Sequence, residues 1–409
     1  MLEAASETID GWIEIISGAA FSSKYFSLQD GLPLVRIRDL GKGSTVTRYT
    51  GSFDPVFLLQ SGDVLIGMDG DFSVERWDGG TALLNQRVCK VTSRSEELDQ
   101  GFLYHFLKPQ IADIHRITPE TTVRHLSTKN LRKVARPRVD PASQRLIAAF
   151  LDAIDDAILE ADRLIEKLRT IYIGMIDDLL IRGLADDRSP RLSSALVATA
   201  VGPRPATWKI ANLGRFVVGA EYGTNLSLGD SSAGIPVLRM NNIQDGEFDL
   251  SDLKYAPAHA VERFQVQPGD VLFNRTNSWE HVGKAAVWRH DEPGPAFASY
   301  LVRLHCGDEL LPEFLHLWLN WAPVQRAIRQ FATPGVQQVN INPTNLRRAL
   351  IAVPDSLDEQ RAIIGRVNGV SAAIEDHRRE RAKLAALREG LRDDLLTGRQ
   401  PVLAIRVAA

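Results

Sequence analysis

The chain repeats itself. Gln144-Arg145 recurs as Gln360-Arg361, 216 residues downstream, and the offset holds without a gap to Asp177-Asp178-Leu179-Leu180 and Asp393-Asp394-Leu395-Leu396. Four identical residues at the end of a gapless match are hard to ascribe to chance. Upstream the similarity continues with small shifts. Gly62-Asp63-Val64-Leu65 returns as Gly269-Asp270-Val271-Leu272, and Asn130-Leu131-Arg132-Lys133 as Asn345-Leu346-Arg347-Arg348. The intervening stretches differ freely. A chain built this way is two copies of one unit, each a variable module followed by a long helical pattern.

The first helical pattern is strict. Ile147, Ile154, Ala161, Leu168 and Met175 are spaced by seven, and Leu151, Ile158, Ile165, Tyr172 and Leu179 follow each by four. Apolar residues on that heptad spacing form a seam that must be buried against a partner. The second copy reads Ile363, Val367, Val370, Ile374, His377, Arg381, Leu384, Arg388, Leu391 and Leu395, with three polar residues in its middle. A solvated helix face accounts for each of these singly. A polar patch that receives another protein is the sharper reading. The one other long helix is the repeat itself, so an intramolecular antiparallel pair is the economical arrangement.

Short apolar runs bounded by glycine and proline, such as Leu34–Ile37, Val64–Ile66, Pro236–Arg239 and Val271–Phe273, predict strands. Gly101–Lys108 and Pro312–Arg329 predict helices. The expected class is α+β: two mixed modules with two long antiparallel helices forming a coiled coil, related by an internal pseudo-two-fold repeat. The expected boundaries are a first module at 1–140, a helix at 141–183, a linker at 184–204, a second module at 205–355, a helix at 356–398 and a tail at 399–409.

Catalytic signatures are missing. Gly41-Lys42-Gly43-Ser44 has the wrong order and spacing for a phosphate-binding loop, and the nine histidines show no metal-ligand spacing. His105 and His316 lie inside apolar runs, which predicts satisfied core histidines. Asp63 and Asp270 sit in the repeated turn and predict turn-stabilising carboxylates. Two cysteines, Cys89 and Cys306, exclude a disulfide framework and suit buried inert thiols. The acidic start lacks a signal-peptide pattern and no run approaches a membrane span, so the cytoplasm is the expected compartment, with no membrane partner.

The net charge of -3 hides an uneven distribution. Arg116–Arg138 carries seven Lys or Arg and a single acid, Glu120, while Arg326–Arg348 carries four Arg and no acid. A basic strip ahead of each helix points to an anionic partner, because local strips neutralise phosphates even on an acidic chain. The strip candidates are Arg124, Lys129, Arg132, Lys133, Arg347 and Arg348. A pool of side chains able to read base edges adds Arg239, Asn241, Asn242, Arg275, Asn277, Ser278, Gln337 and Gln338, and in the first module Arg36, Arg38, Lys42 and Arg48 cluster.

This organisation resembles the DNA-specificity subunit of Type I restriction–modification systems over nearly the whole chain. The motifs carrying it are Ser17–Phe21, Pro33–Leu40, Gly62–Phe72, Leu84–Val88, Trp208 with Leu213-Gly214, Gly269–Leu272, and Val353-Pro354 leading to Glu359-Gln360-Arg361. The first module lacks a clear Trp208, and Trp12 stands as its candidate replacement. The resemblance implies no active site in this chain. Each module would read one half of a bipartite double-stranded DNA target, and the helices would set half-site spacing and dock two methyltransferase subunits. Motor–nuclease subunits would complete the assembly, and S-adenosylmethionine, ATP and magnesium would belong to those partners. Two other readings stand beside it: a specificity subunit for a fused methyltransferase–nuclease, and a helical scaffold that bridges proteins without touching DNA.

Overall fold

The computed structural model describes residues 8–119, 124–335 and 338–396. The chain divides into two compact units, Met1–Asp162 with Arg379–Ala409, and Arg163–Arg378. The two long helices, Pro141–Arg182 and Leu357–Leu396, each run through both units. The helices span nearly the ranges expected for them, 141–183 and 356–398. Each helix half folds with a module.

In the first unit a four-stranded antiparallel sheet takes the order Ile13–Ser17, Val88–Ser93, Val64–Gly67, Val74–Arg76. In the second the order is Val217–Tyr222, Leu301–Cys306, Val271–Asn274, Ala285–Val287, again antiparallel throughout. A second sheet in each unit contains one parallel pair, Leu32–Val35 beside Ala82–Leu84 and Ile235–Leu238 beside Ala296–Phe297. The expected helix at 101–108 extends over Gln100–Ile117, started by Asp99, whose carboxylate accepts from the Phe102 N–H at 2.9 Å. The expected helix at 312–329 is broken at Trp321 into Pro312–Asn320 and Ala322–Ile328. Trp321 precedes Ala322-Pro323 and is extended, so a new helix starts rather than the old one continuing.

The repeated motifs turn out to be anchors. Asp63 accepts from the Gln60 N–H at 2.8 Å, and Asp270 from that of Gln267 at 2.7 Å, as expected of turn carboxylates. Each also faces a cation on the neighbouring strand, Lys90 at 3.6 Å and Arg303 at 3.0 Å. Gly62 and Gly269 have φ of 95° and 84°, the left-handed region glycine enters most cheaply. Gln144 and Gln360 are fully buried. Gln144 accepts from the Asp99 N–H at 2.8 Å and donates to the Glu97 and Val139 carbonyls; Gln360 accepts from the Leu311 N–H at 2.9 Å and donates to those of Glu309 and Pro354. In both copies one amide ties the start of the long helix to backbone of its module.

The seam is buried where it meets its own unit. In the first unit Ile147 and Leu151 pack with Leu395 and Leu391, and Ile154 is buried. In the second, Leu179 packs in the core with Ile363 and Val367, and Ile165 and Ile374 are buried. Ile158, Leu168, Val370 and Leu384 are half-buried. Two of the three polar positions form ion pairs. Arg388 pairs with Asp155, and Arg381 with Asp162 at 3.1 Å, all within the first unit. One partner advances seven residues as the other retreats seven, so these helix halves run antiparallel.

The linker at 184–204 is not slack. Gly183 ends the first helix with φ of 59° and its N–H bonds to the Leu179 carbonyl at 2.9 Å. Leu184 N–H and the Arg191 guanidinium both donate to Glu359, which also accepts from Trp208 Nε1 at 3.1 Å. Leu196–Val197 then pairs with Arg204–Pro205.

Candidate nucleic-acid interface

The clearest gathering of polar candidates lies in the second unit around Met240. The strand Ile235–Leu238 ends in a tight turn over Met240–Asn242, entered by Arg239. Asn242 is buried; its carbonyl oxygen accepts from the Arg239 N–H at 2.8 Å, and its amide donates to the Asp249 and Asp252 carbonyls. With its hydrogen-bonding groups spent on backbone, Asn242 cannot read a base, which corrects its place in the pool. Arg239 pairs with Asp252 at 2.7 Å and serves the same turn. Asn241, between them, is exposed.

Other strand ends converge on that turn. Asn274 and Asn277 donate to the Met240 carbonyl at 2.8 and 3.3 Å, and Gln338 approaches the Met240 sulfur at 3.7 Å. Thr276–Asn277 pairs with Val339–Ile341. Ser278, half-buried, donates its N–H to Asn277 Oδ1 at 2.8 Å. Arg275 lies 5.1 Å from the Tyr222 ring and donates to the Ser299 carbonyl at 3.4 Å. The structure thus brings together Asn241, Arg275, Asn277, Ser278 and Gln338. Gln337 lies outside the described residues. Composition reasoning missed the aromatic members, Tyr222, Trp279 and Tyr300, each about half exposed. Flat exposed rings beside a guanidinium suit stacking on sugar or base surfaces.

The first unit repeats this frame with different side chains. Arg36 enters the turn Ile37–Asp39, its N–H donating to Asp39 at 3.1 Å and its guanidinium bonding Thr47. It is a turn-former like Arg239. Arg38 is exposed and takes the place of Asn241. Met68 N–H bonds the Arg87 carbonyl at 2.9 Å, as Arg275 N–H bonds that of Tyr300 at 3.1 Å, so Arg87 stands where Tyr300 stands. The Asp69–His125 bridge matches Thr276–Asn340. Asp69 holds both Arg87 and His125, at 3.4 and 2.7 Å. Lys42 is exposed, and Arg48 Nε donates to the Gly31 carbonyl at 2.8 Å.

Of the basic strips, Lys129, Lys133 and Arg348 are exposed. Arg132 pairs with Asp10, Arg124 bonds His115 at 2.8 Å, and Arg347 donates to the Gly214 carbonyl at 3.2 Å. Trp12 does not replace Trp208. The Arg94 N–H bonds the Trp12 carbonyl as Gly307 bonds Phe216, and Ile9 bonds Val134 as Leu213 bonds Ala349. Trp12 therefore holds the place of Phe216, and Arg136 stacks on it at 4.5 Å.

The titratable groups set apart from catalysis behave as core. His105 is buried with Nε2 2.8 Å from Asp152, and burial lowers its pKa. Burial, then the charge of Arg289, pulls His316 down to about 4, and its Nε2–H donates to the Gly246 carbonyl at 2.7 Å. Burial pushes the Cys89 and Cys306 thiols up to about 12. Among the described residues no group of three or more His, Cys, Asp or Glu could hold a metal, and no helix is long and apolar enough to cross a membrane.

Comparison with known proteins agrees with this frame. Residues 4–169 match the Type I restriction modification DNA specificity domain. The chain is 28% identical over 379 residues to the Type I restriction enzyme EcoBI specificity subunit of Escherichia coli, covering 89% of this chain and 78% of that one. It is 21% identical over 348 residues to the MjaVIII specificity subunit of Methanocaldococcus jannaschii, covering 84% and 80%. Its fold is similar to a crystal structure of the Type I restriction–modification S subunit from M. genitalium, with a TM-score of 0.63, 16% identity and 95% of each chain covered. In the matched domain and in relatives aligned along most of its length, the chain is similar to Type I restriction–modification DNA-specificity subunits, and its fold is similar to that of the solved S subunit.

Proposed function

We propose that the chain is the non-catalytic, sequence-reading subunit of a Type I restriction–modification assembly, each module recognising one half of a bipartite duplex target. The observation that carries this is the shared frame with exchanged readers. Backbone bonds recur between the modules, while the side chains at matched places change: Arg38 for Asn241, Arg87 for Tyr300, and exposed His125 for half-buried Asn340. A fixed scaffold with altered edge-reading groups is what two different half-sites require. Lys129, Lys133 and Arg348 would hold phosphates and position the duplex.

The remaining roles extend that reading. The paired helices, as an antiparallel coiled coil, would fix the distance between half-sites. Their exposed apolar residues, among them Leu159, Ile171 and Ile173, would dock two methyltransferase subunits. Motor–nuclease subunits would join the complex, with S-adenosylmethionine, ATP and magnesium bound by the partners, in the cytoplasm. Exchanging residues 205–355 for the same region of a relative should change one half of the methylated target and leave the other intact. Methylome sequencing reads the outcome, and alteration of both halves would refute independent reading.

A further inference from the structure

In the second unit a cavity of about 400 Å³ opens between the Ala322–Ile328 helix and the segment ahead of the second module. Its walls are mostly apolar, including Trp318, Trp321, Val324, Ile328 and Phe331, and among the described residues its polar lining is two arginines and Gln330, with no carboxylate. One of them, Arg204, is 3% exposed. Its Nη1 donates to the carbonyl of its own neighbour, Pro203, at 2.6 Å, while Nε is buried without a partner among the described residues. Its guanidinium stands 5.2 Å from the Trp321 ring and 5.7 Å from the Trp318 ring. Burial pulls its pKa down to about 10.

This is a costly place for a charge. A buried cation without a counter-ion carries an uncompensated desolvation penalty, which ring faces offset only in part. The placement is nevertheless built. Val197 pairs with Arg204, and Thr199 and Gly202 exchange backbone hydrogen bonds at 3.2 and 3.1 Å, closing the hairpin that delivers the guanidinium. Trp321 is fixed by donation of its indole N–H to Asp177 at 2.5 Å, so that carboxylate acts on the ring and makes no ion pair with Arg204. Arg348, exposed, adds positive charge at the rim.

We propose that this cavity binds an apolar group ending in a carboxylate, the carboxylate paired with Arg204 and the hydrocarbon body against Trp318, Trp321 and Ile328. A planar guanidinium suits bidentate carboxylate binding, and the apolar walls exclude a strongly hydrated anion. A duplex phosphate cannot reach a side chain this deeply buried, so Arg204 does not share the phosphate-holding role proposed for Arg348 at the rim. The same chemistry comes from two sources, a small free acid or the C-terminal residue of a partner chain.

The test titrates the full chain with hydrocinnamate and its amide, and with a short peptide ending in Leu-Phe, as free acid and amidated, by calorimetry. The expected result is saturable binding of a free acid, at least about tenfold tighter than its amide. Arg204→Met should remove that preference, with circular dichroism confirming the fold. Ala327→Trp, at the exposed lip, should block binding with Arg204 intact and covers the case in which the first variant misfolds. Tighter binding of the peptide assigns the site to a partner's chain end, and tighter binding of hydrocinnamate assigns it to a small acid. Equal binding of acid and amide, or no saturation by either acid below about 10 mM, overturns the proposal.

Discussion

Residues that look interchangeable in sequence separate by what their polar atoms already bond. Arg36 and Arg239 spend theirs on turns, Asn242 is sealed beneath one, and Arg38 and Asn241 remain outward at the same turn position. Sequence supplied the residue types; burial decides which are available to DNA. His316 shows the same logic for a proton. Its Nε2–H donates to Gly246, Nδ1 faces Arg289 at 3.3 Å, and the folded pKa of about 4 lies below the unfolded value near ~6.5. A depressed folded pKa means that the unfolded chain binds the extra proton between those values. The stability contribution is therefore complete above pH ~6.5 and falls away as pH drops towards ~4, by on the order of a few kcal/mol. Denaturant unfolding of wild type and His316→Gln across that range should show the wild type losing more. Parallel curves would mean that His316 titrates normally.

At the scale of elements, the long helices and the repeated turns were legible because their burial pattern is local. The heptad seam, Gln144 with Gln360 and Asp63 with Asp270 each recur at matched places and do matched work. Trp77 and Trp288 do equally matched work and were illegible. Each receives a bond from the turn glycine, Gly62 or Gly269, and each indole N–H caps a following carbonyl. Insertions between turn and tryptophan differ in length, so sequence registers no repeat where hydrogen bonding does. The candidate site was illegible for a similar reason: Tyr222, Arg275, Tyr300 and Gln338 meet only through sheet pairing. Helix pairing itself is testable. Arg388 and Asp155 are mostly shielded, so a double-mutant cycle of Arg388→Leu and Asp155→Leu should give a coupling of about 1 kcal/mol. Additive effects would show that the pair contributes nothing. The strip before the first helix has its own signature. Lys129→Ala with Lys133→Ala should weaken binding to all duplexes and flatten the salt dependence by roughly 1–2 units of slope, whereas loss of a single base preference at unchanged slope would exclude phosphate contacts.

At the scale of the whole molecule, a helix measures distance only where both its ends are held. Each long helix passes without a break from one compact unit into the other. Its ends are fixed to the modules through Gln144, Gln360 and Glu359. Length added between those anchors cannot be absorbed by slack, because even the stretch after Gly183 is tied back by Glu359 and a strand pair. A single insertion would break the antiparallel register that joins Asp155 to Arg388 and Asp162 to Arg381. Matched insertions of one heptad after Glu166 and after Asp376 preserve that register and the apolar seam. Each adds ~10 Å at ~1.5 Å per residue, with a drift of only ~20° from whole-turn phase. Duplex DNA rises ~3.4 Å per base pair, so the preferred gap between half-sites should lengthen by about three base pairs. Both half-site sequences should persist, since no module residue has changed. Methylome sequencing of cells carrying the paired insertion reads gap and half-sites together. An unchanged gap with full methylation would mean that the duplex, not the protein, takes up the difference, and would remove the helices from any role in measuring the target.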